Sequence, residues 1–580
     1  MKQEIKICQN CKKDFIIEAE DFNFYEKIKV PPPTFCPECR FIRRLAWRNE
    51  RVLYRRDCSL CKKNIISMYA EFVSFPVYCR ECWHGDAWEA TTFGRGYDFS
   101  RSFFEQFKEL LETVPRLALW QRNSINSDYS NYVGESRNVY LSVSVVKGSE
   151  NVFYSTTVDK SSDIIDCANM KEGQSLYENI EGEKNYNCQH VLLSRNCLDS
   201  YFLVDCVNCS NCLLSYNLRN KEFYIRNKQY SKEEYLKEIK KLNLQSRASR
   251  EILIKEFEEI KQRAIYRFAN IIRSVNSTGN NLSNVKNCKN CFNSEDVENV
   301  KYGYRTLVAK DCMDFTYSGW SEMMYEYVTG SLDDYNVKFS HSANNSVRDA
   351  DYVDFCANCN DIFGCTGLKN KENAILNRVY SKEEFNKLRE EIIKQMENVP
   401  FVDKVGRIYR YGEFFPVELS PWGYNETIAQ EFFPITEEEA AKKGYTWRES
   451  IVKNFKISIP TEKIPDNIVE VNDEILKEVL GCAHAGRCDH HCNVAFRLTD
   501  YELKFYKKHN IPLPVLCSNC RHYKRFIQLP LPRLYKRECM CDKENHSNHK
   551  GKCEIEFETN YAPDRPETVY CERCYQQEIY

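Results

Sequence analysis

A chain of 580 residues exceeds what one hydrophobic core can hold, so several domains are expected. Apolar residues make up 42% and charged residues 29%, an ordinary balance for soluble protein. The formal net charge of -2 excludes a global attraction to nucleic acid or anionic membrane, so any such contact needs a local patch.

The opening stretch MKQEIKICQN has no apolar core of signal-peptide length, and no run of about 18 apolar residues occurs anywhere. The expected location is therefore the cytoplasm. In that reducing compartment 30 cysteines call for an explanation other than disulfides, and recurring Cys-x2-Cys pairs point to metal.

The first element, residues 1–56, carries Cys8-x2-Cys11-x24-Cys36-x2-Cys39. The second, residues 57–120, carries Cys58-x2-Cys61-x17-Cys79-x2-Cys82 and a following helix. Each supplies two thiolate pairs joined by a loop, which is what a closed tetrahedral zinc site requires.

Directly after Cys39 comes RFIRRLAWRNERVLYRR, with Arg40, Arg43, Arg44, Arg48 and Arg51 against the single acid Glu50. As one helix it would align Arg40, Arg44, Arg48 and Arg51 in a stripe, with Trp47 nearby. Such a stripe suits phosphate contact and base stacking, preferably on RNA. An arginine face can equally pair with acidic protein surface.

Residues 121–230 change texture. Asn138-Val139-Tyr140, Asn151-Val152-Phe153, Asp163-Ile164-Ile165 and Asn196-Cys197-Leu198 recur every 10 to 13 residues, each a turn former followed by a short β run. A second array over 278–380 repeats the texture, and the closing segments LRNKEFYIRNKQYSKEEY and LKNKENAILNRVYSKEEF lie 150 residues apart. This spacing predicts a duplicated β-solenoid-like array. Helices begin at capping boxes, Ser231 with Glu234 in the bridge 231–277 and Ser381 with Glu384 in the cap 381–400. Twelve cysteines sit in the arrays where Asn-Cys replaces Asn-Val, and this reads as interior stacking in place of metal binding. Residues 401–480 are rich in aromatics and proline and are expected to pack against the arrays or a finger pair.

The third and fourth fingers, 481–533 and 534–580, are copies of the first two. A shift of 481 lays Cys11, Cys36, Cys39 and Arg40 on Cys492, Cys517, Cys520 and Arg521, and carries LYRRDC onto LYKREC. A shift of 492 then lays Cys61, Cys79 and Cys82 on Cys553, Cys571 and Cys574. The fourth finger's ligands are thus Cys539, Cys553, Cys571 and Cys574, with an inserted segment bringing Cys541, His546 and His549 as ligands for a further metal or as solvated spares. In the third finger the copy of Cys8 falls on Asp489, and Cys488 is the nearest thiol, with Cys482, His484, His490 and His491 as alternatives. Arg521, Lys524 and Arg525 form the C-terminal basic counterpart.

The segments CQNCKKDF, PPPTFCPECRFIRR, YSKEEY and APDRPETVYCERCY resemble the probable zinc-ribbon, or treble-clef, domain of multi-finger proteins from candidate-phylum bacteria. That resemblance implies zinc binding, about four structural ions, and no established activity.

The expected architecture is therefore multidomain and mainly β, with four treble-clef or zinc-ribbon-like fingers in two pairs flanking the duplicated array and its capping helices. The expected function is a non-enzymatic zinc scaffold that binds nucleic acid, or else holds protein partners, with no membrane contact. No phosphate loop, dinucleotide fingerprint, nucleophile elbow or metalloprotease helix is present. A metal-assisted nuclease using His490, His491 or His522 remains a third reading. So does a carbohydrate-cleaving array using Asp311, Asp314, Asp333, Asp334, Asp349, Asp351 or Asp354.

Overall fold

Short β runs at near-constant spacing satisfy their backbone groups most readily by pairing each copy with the next. The protein's structure, a computed structural model, describes residues 2–330, 332–449, 455–544 and 546–580. It is multidomain and strand-rich, and it divides into two compact units. One comprises Met1–Leu119, Ala269–Glu449 and Pro532–Leu534, the other Trp120–Phe268, Ser450–Leu531 and Tyr535–Tyr580. The N-terminal finger pair thus shares a unit with the second array, and the C-terminal pair with the first.

In the first array parallel pairing runs unbroken through Phe153, Ile165, Tyr177, Gln189, Tyr201, Leu213 and Ile225, each the register partner of the next. In the second the corresponding series is Met313, Tyr325, Lys338, Asp351, Phe363 and Ile375. Between these strands the chain bends at every third residue. Asn187, His190, Leu193, Asn196, Asp199, Phe202, Asp205, Asn208, Asn211 and Leu214 are all left-handed, with φ between 47° and 58°. Asn and Asp tolerate this conformation, but Leu and Phe lose about 1–2 kcal/mol each in it. The stacked interior offsets that loss: Val152, Ile164, Leu176 and Cys188 are consecutive register partners, each at most 1% exposed. Full burial of such a side chain contributes about 1.5–3 kcal/mol.

The turn residues form ladders, as their spacing suggests. Asn196 Nδ2 donates to Asn208 Oδ1 at 3.0 Å, and Asn208 to Asn220 at 2.9 Å. In the second array the series Asn276, Asn287, Asn299 and Asp311 is linked at 3.2, 3.1 and 2.7 Å.

The array cysteines line the interior in the column that valine fills elsewhere: Val139, Val152, Ile164, Leu176 and Cys188 are consecutive register partners, and Val300 pairs with Cys312. The Cys188 and Cys356 thiols donate to the carbonyls of Tyr186 and Asp354, two residues back, as the hydroxyls of Ser194 and Ser200 donate to those of Leu192 and Leu198. The same atoms also accept the amide of the residue twelve further on, as Ser194 Oγ does from Cys206 at 2.9 Å and Cys167 Sγ from Asn179 at 3.4 Å.

Both arrays end as their sequences indicate. Glu222–Ile225 and Glu372–Ile375 turn back antiparallel on Lys228–Gln229 and Arg378–Val379, and the Ser231/Glu234 and Ser381/Glu384 capping boxes then open helices. The bridge holds a second helix after the one that Ser231 opens. This helix covers Arg247–Arg263, and Ile265–Arg267 then forms a parallel pair with Thr568–Tyr570 of the fourth finger. Residues 401–449 pack as expected: Tyr409, Tyr411, Phe414 and Phe415 join the first finger's Phe35 and Trp47 and the second array's Tyr352 in one core. No helix among the described residues is long and apolar enough to cross a membrane.

Ser194 tests the interior ladder. Ser194→Ala, which orphans the Cys206 amide, is expected to lower unfolding free energy by about 1–3 kcal/mol, and Ser194→Cys by much less. Urea unfolding of the two variants decides it; equal losses would contradict the ladder.

Candidate metal centres and the buried arginine helices

Each finger begins with a β strand running into its first cysteine and ends with a helix whose first turn carries the last cysteine. In the first finger Glu4–Ile7 pairs antiparallel with Asp14–Ile17, and Pro37–Leu45 forms the helix with Cys36 as its N-cap. The second, third and fourth fingers place Cys79, Cys517 and Cys571 at the same N-cap. This brings four sulfurs together in each finger. Cys8, Cys11, Cys36 and Cys39 have ligand atoms within 4.8 Å of one another, as do Cys58, Cys61, Cys79 and Cys82. So do Cys539, Cys553, Cys571 and Cys574, as the shifted repeat indicates.

The third finger corrects the choice of first ligand. The group is Cys482, Cys492, Cys517 and Cys520, with Cys488 in a neighbouring cluster. A signature bond identifies the position: the amide of the N-cap cysteine donates to the first ligand's sulfur. It links Cys36 to Cys8 at 3.2 Å, Cys79 to Cys58 at 3.3 Å, Cys571 to Cys539 at 3.2 Å, and Cys517 to Cys482 at 3.2 Å. The first knuckle has been expanded from Cys8-x2-Cys11 to Cys482-x9-Cys492, which no alignment at constant shift can follow. The legible signal was the strand that leads into the cysteine, because Leu480–Gly481 precedes Cys482 as Glu4–Ile7 precedes Cys8.

Electrostatics favours a cation at these groups. Hydrogen bonding from Cys482 holds the Cys517 thiol down at about 4. At Cys58 burial is outweighed by the amides of Cys79, Cys61 and Leu60, which leave the thiol at about 7. In the first finger Cys8 is lowered chiefly by hydrogen bonding from Cys36 and Cys39, whereas Cys39 is pushed far up by its sulfur neighbours. One thiolate thus suppresses the next, and four become stable together only around a positive ion. The donor set of four sulfurs fits a tetrahedral, thiophilic metal. In the arrays, burial pushes the Cys188 and Cys365 thiols up to about 12, which suits thiols that keep their protons for carbonyl oxygens.

The arginines behave differently from the solvent-facing stripe read in the sequence. The helix ends at Leu45, so Arg48 and Arg51 lie beyond it. Arg40, Arg43, Arg44 and Arg48 are at most 2% exposed, and Trp47 is fully buried against Phe415 at 4.8 Å between ring centres. Arg40 Nε lies 2.8 Å from Asp314, and Arg44 Nη1 lies 3.1 Å from the same carboxylate. Arg43 bridges Glu326 at 2.6 Å and Glu413 at 3.1 Å. Arg48 pairs with Glu50 at 2.6 Å and stacks over Tyr317 at 3.9 Å, and Arg51 faces Glu431 at 3.9 Å.

The C-terminal copy repeats the device. Arg521 Nε and Arg525 Nη1 both lie 2.8 Å from Asp166, and both arginines are buried. Arg40 donates to the Phe35 carbonyl at 2.7 Å, and Arg521 to that of Leu516, its counterpart, at 3.0 Å. Of the nine residues expected to meet nucleic acid, only Lys524 is exposed. Arg51 is intermediate and the other seven are buried, because their charges are neutralised within the fold. Asp314, Glu326, Glu413 and Asp166 carried no sequence signal as partners, since acids are common at turns.

The remaining candidates separate. Asp351 pairs with Lys338 and Arg389, Asp354 with Arg116 and His341, and Asp311 with Lys27. Asp333 faces Arg348 at 3.1 Å, Asp334 accepts from Tyr327 at 3.1 Å, and Asp349 accepts from Asn336 at 2.6 Å. Each acid has its own cationic or hydrogen-bonding partner. His522 is buried, His491 is exposed, and His490 faces the cluster containing Cys488.

No family model matches the chain, and no curated protein is similar to it. Among solved structures it is similar to a putative acetyltransferase from Desulfovibrio desulfuricans G20, at 11% identity and a TM-score of 0.10, covering 50% of this chain and 74% of that one. A superposition of that quality carries no argument about fold or activity.

Removing one member of a buried ion network leaves the others uncompensated, at a cost of about 3–5 kcal/mol. Asp314→Ala and Asp166→Ala are each expected to destabilise their own unit by that order and to deprotect the amides of Pro37–Leu45 and Ser518–Phe526 respectively in hydrogen exchange. Unchanged protection in either variant would contradict the clamp.

A second expectation concerns acid. Burial raises Asp351 and Asp354, but Lys338 with Arg389, and Arg116 with His341, outweigh it and hold both below the ordinary aspartate range. The stability they contribute is complete above that range, about 3.9, and is lost as pH falls beneath it. Asp354→Asn should flatten the decline of the urea midpoint with acidification.

Proposed function

We propose that the protein is a non-catalytic, zinc-stabilised scaffold for protein partners, working in a reducing compartment. The observation that carries this reading is the burial of the finger arginines on carboxylates of the arrays. Those side chains hold the fold together, so the fingers act as clamps on the arrays and not as nucleic-acid readers. A net charge of -2 and the paired state of the array acids favour the same view.

We read each finger as a treble clef or zinc ribbon, on the strength of the hairpin at the first knuckle and the helix that starts at the second. The resemblance to bacterial multi-finger proteins belongs to the same reading. We read each array as a β-solenoid, supported by its parallel register of 11 to 13 residues per step and by a left-handed bend every third residue. Zinc is the ion that four thiolates in a closed tetrahedral group select in a cell, and its part here is to tie strand and helix together. The thirty cysteines are all free, in keeping with a reducing compartment.

The test is a salt series of zinc-loaded full chain against mixed single- and double-stranded RNA and DNA, beside Arg40→Ala and Arg525→Ala. No micromolar binding is expected at low salt, and both variants should lower the unfolding midpoint. Salt-dependent binding that the variants lose without a change in midpoint would overturn the scaffold reading in favour of nucleic acid.

A further inference from the structure

The two C-terminal fingers differ from their N-terminal copies in one place, the loop between the first and second cysteine. Cys8-x2-Cys11 corresponds to Cys482-x9-Cys492, and Cys58-x2-Cys61 to Cys539-x13-Cys553. Each expansion brings one further cysteine and at least two histidines: Cys488 with His484, His490 and His491 in the third finger, Cys541 with His546 and His549 in the fourth. A knuckle lengthened only to suit a surface would have no reason to acquire the same kinds of donor twice.

In the third finger three of these donors converge. Ligand atoms of His484, Cys488, His490 and Cys520 lie within 4.8 Å of one another, and Cys488 Sγ is 3.7 Å from Cys520 Sγ. Cys520 is at the same time a member of the four-sulfur group, 3.5 Å from Cys517 and 3.9 Å from Cys482. The Nδ1 atoms of His484 and His490 are buried and have no hydrogen-bond partner. Buried ring nitrogens without partners are costly, and a metal ion satisfies them. The His490 ring is held by parallel stacking on Tyr523 at 5.1 Å.

The fourth finger repeats the arrangement around the equivalent cysteine. His549 Nε2 lies 3.3 Å from Cys574 Sγ, and its Nδ1 lies 2.7 Å from the Gly551 carbonyl. A carbonyl only accepts, so Nδ1 carries the proton and Nε2 turns its lone pair toward the sulfur. His546 sits beside His549 with ring centres 4.8 Å apart, and its Nδ1 is 3.7 Å from the buried Cys541 Sγ. Its Nε2 is 2.8 Å from Glu578, the carboxylate–histidine contact that commonly orients a metal ligand.

We propose that each C-terminal finger is a dinuclear centre, in which Cys520 or Cys574 bridges the four-thiolate ion to a second thiophilic divalent cation. The second ion is held by His484, Cys488, His490 and Cys520 in the third finger, and by Cys541, His546, His549 and Cys574 in the fourth. A bridging thiolate shares its charge between two ions, and two neutral imidazoles keep the added charge of the donor set low. The proposal rests on the reading that the four-cysteine groups hold metal, and the experiment separates the two.

Zinc per chain is counted by native mass spectrometry on the zinc-loaded full chain, with elemental analysis alongside. The expected count is two ions above the four held by the four-cysteine groups. His484→Ala combined with His490→Ala, and His546→Ala combined with His549→Ala, should each remove one. A wild-type count of four overturns the dinuclear proposal alone, whereas fewer than four overturns the four-thiolate reading beneath it. A count unchanged in both double variants also overturns the proposal. Since a variant can lose metal by unfolding, cobalt-loaded wild type supplies an independent measure. Spins coupled through the bridging sulfur should give less paramagnetic resonance intensity per ion than isolated sites, and full intensity would overturn the bridge.

Discussion

One buried aspartate held by two arginines four residues apart on a finger helix is the interaction on which each unit depends. It occurs twice, as Asp314 with Arg40 and Arg44 and as Asp166 with Arg521 and Arg525. Both aspartates occupy left-handed corners with φ 56°. Asp takes that conformation more readily than a branched or aromatic residue, so the corner of an array is a place where a carboxylate can be presented at little conformational cost. Two arginines are needed because a single buried pair seldom recovers its desolvation; extra hydrogen bonds, such as Arg525 to the Tyr154 carbonyl at 2.8 Å, add to the recovery.

That clamp in turn needs the four-sulfur groups. A finger of this size has little core of its own. Cysteines cap the helix start, and the amide of each N-cap cysteine is satisfied by the first ligand's sulfur, so helix orientation is set by the sulfur cluster. Were the cluster to open, the arginine pair would lose its fixed spacing relative to the aspartate. Sulfur cluster and ion pair thus act in series: the cluster aims the helix, and the arginines bind it to the array.

Most of this architecture was legible. Duplicated fingers, repeat arrays, asparagine ladders and capping boxes all follow from local spacing, where each residue's neighbours in sequence are its neighbours in space. Two features were not. The arginines read as a solvent stripe because their partners Asp314 and Glu326 lie some 280 residues away, and a sequence carries charge but not its neutralisation. Cys482 was displaced by Cys488 because a constant shift assumes a constant loop length, while a metal group constrains only where the sulfurs end. The array cysteines were matched with valine by position, and the register agrees, since Cys188 follows Val152, Ile164 and Leu176 in one column.

The same physics explains why the copies diverged where they did. An array interior admits little insertion: its steps vary by a single residue, as from Met313–Tyr325 to Tyr325–Lys338, and the stack is kept. A finger helix admits none between its arginines without breaking the four-residue spacing that places both on one carboxylate. The first knuckle is bound by neither requirement: its strand and its second cysteine must meet, but the loop joining them projects from the cluster and can lengthen freely. Closing a longer loop costs entropy only slowly, and donors that arrive in it fall beside sulfurs already assembled. Expansion at that loop therefore adds donors beside the four-sulfur group while the clamp it supports stays unchanged.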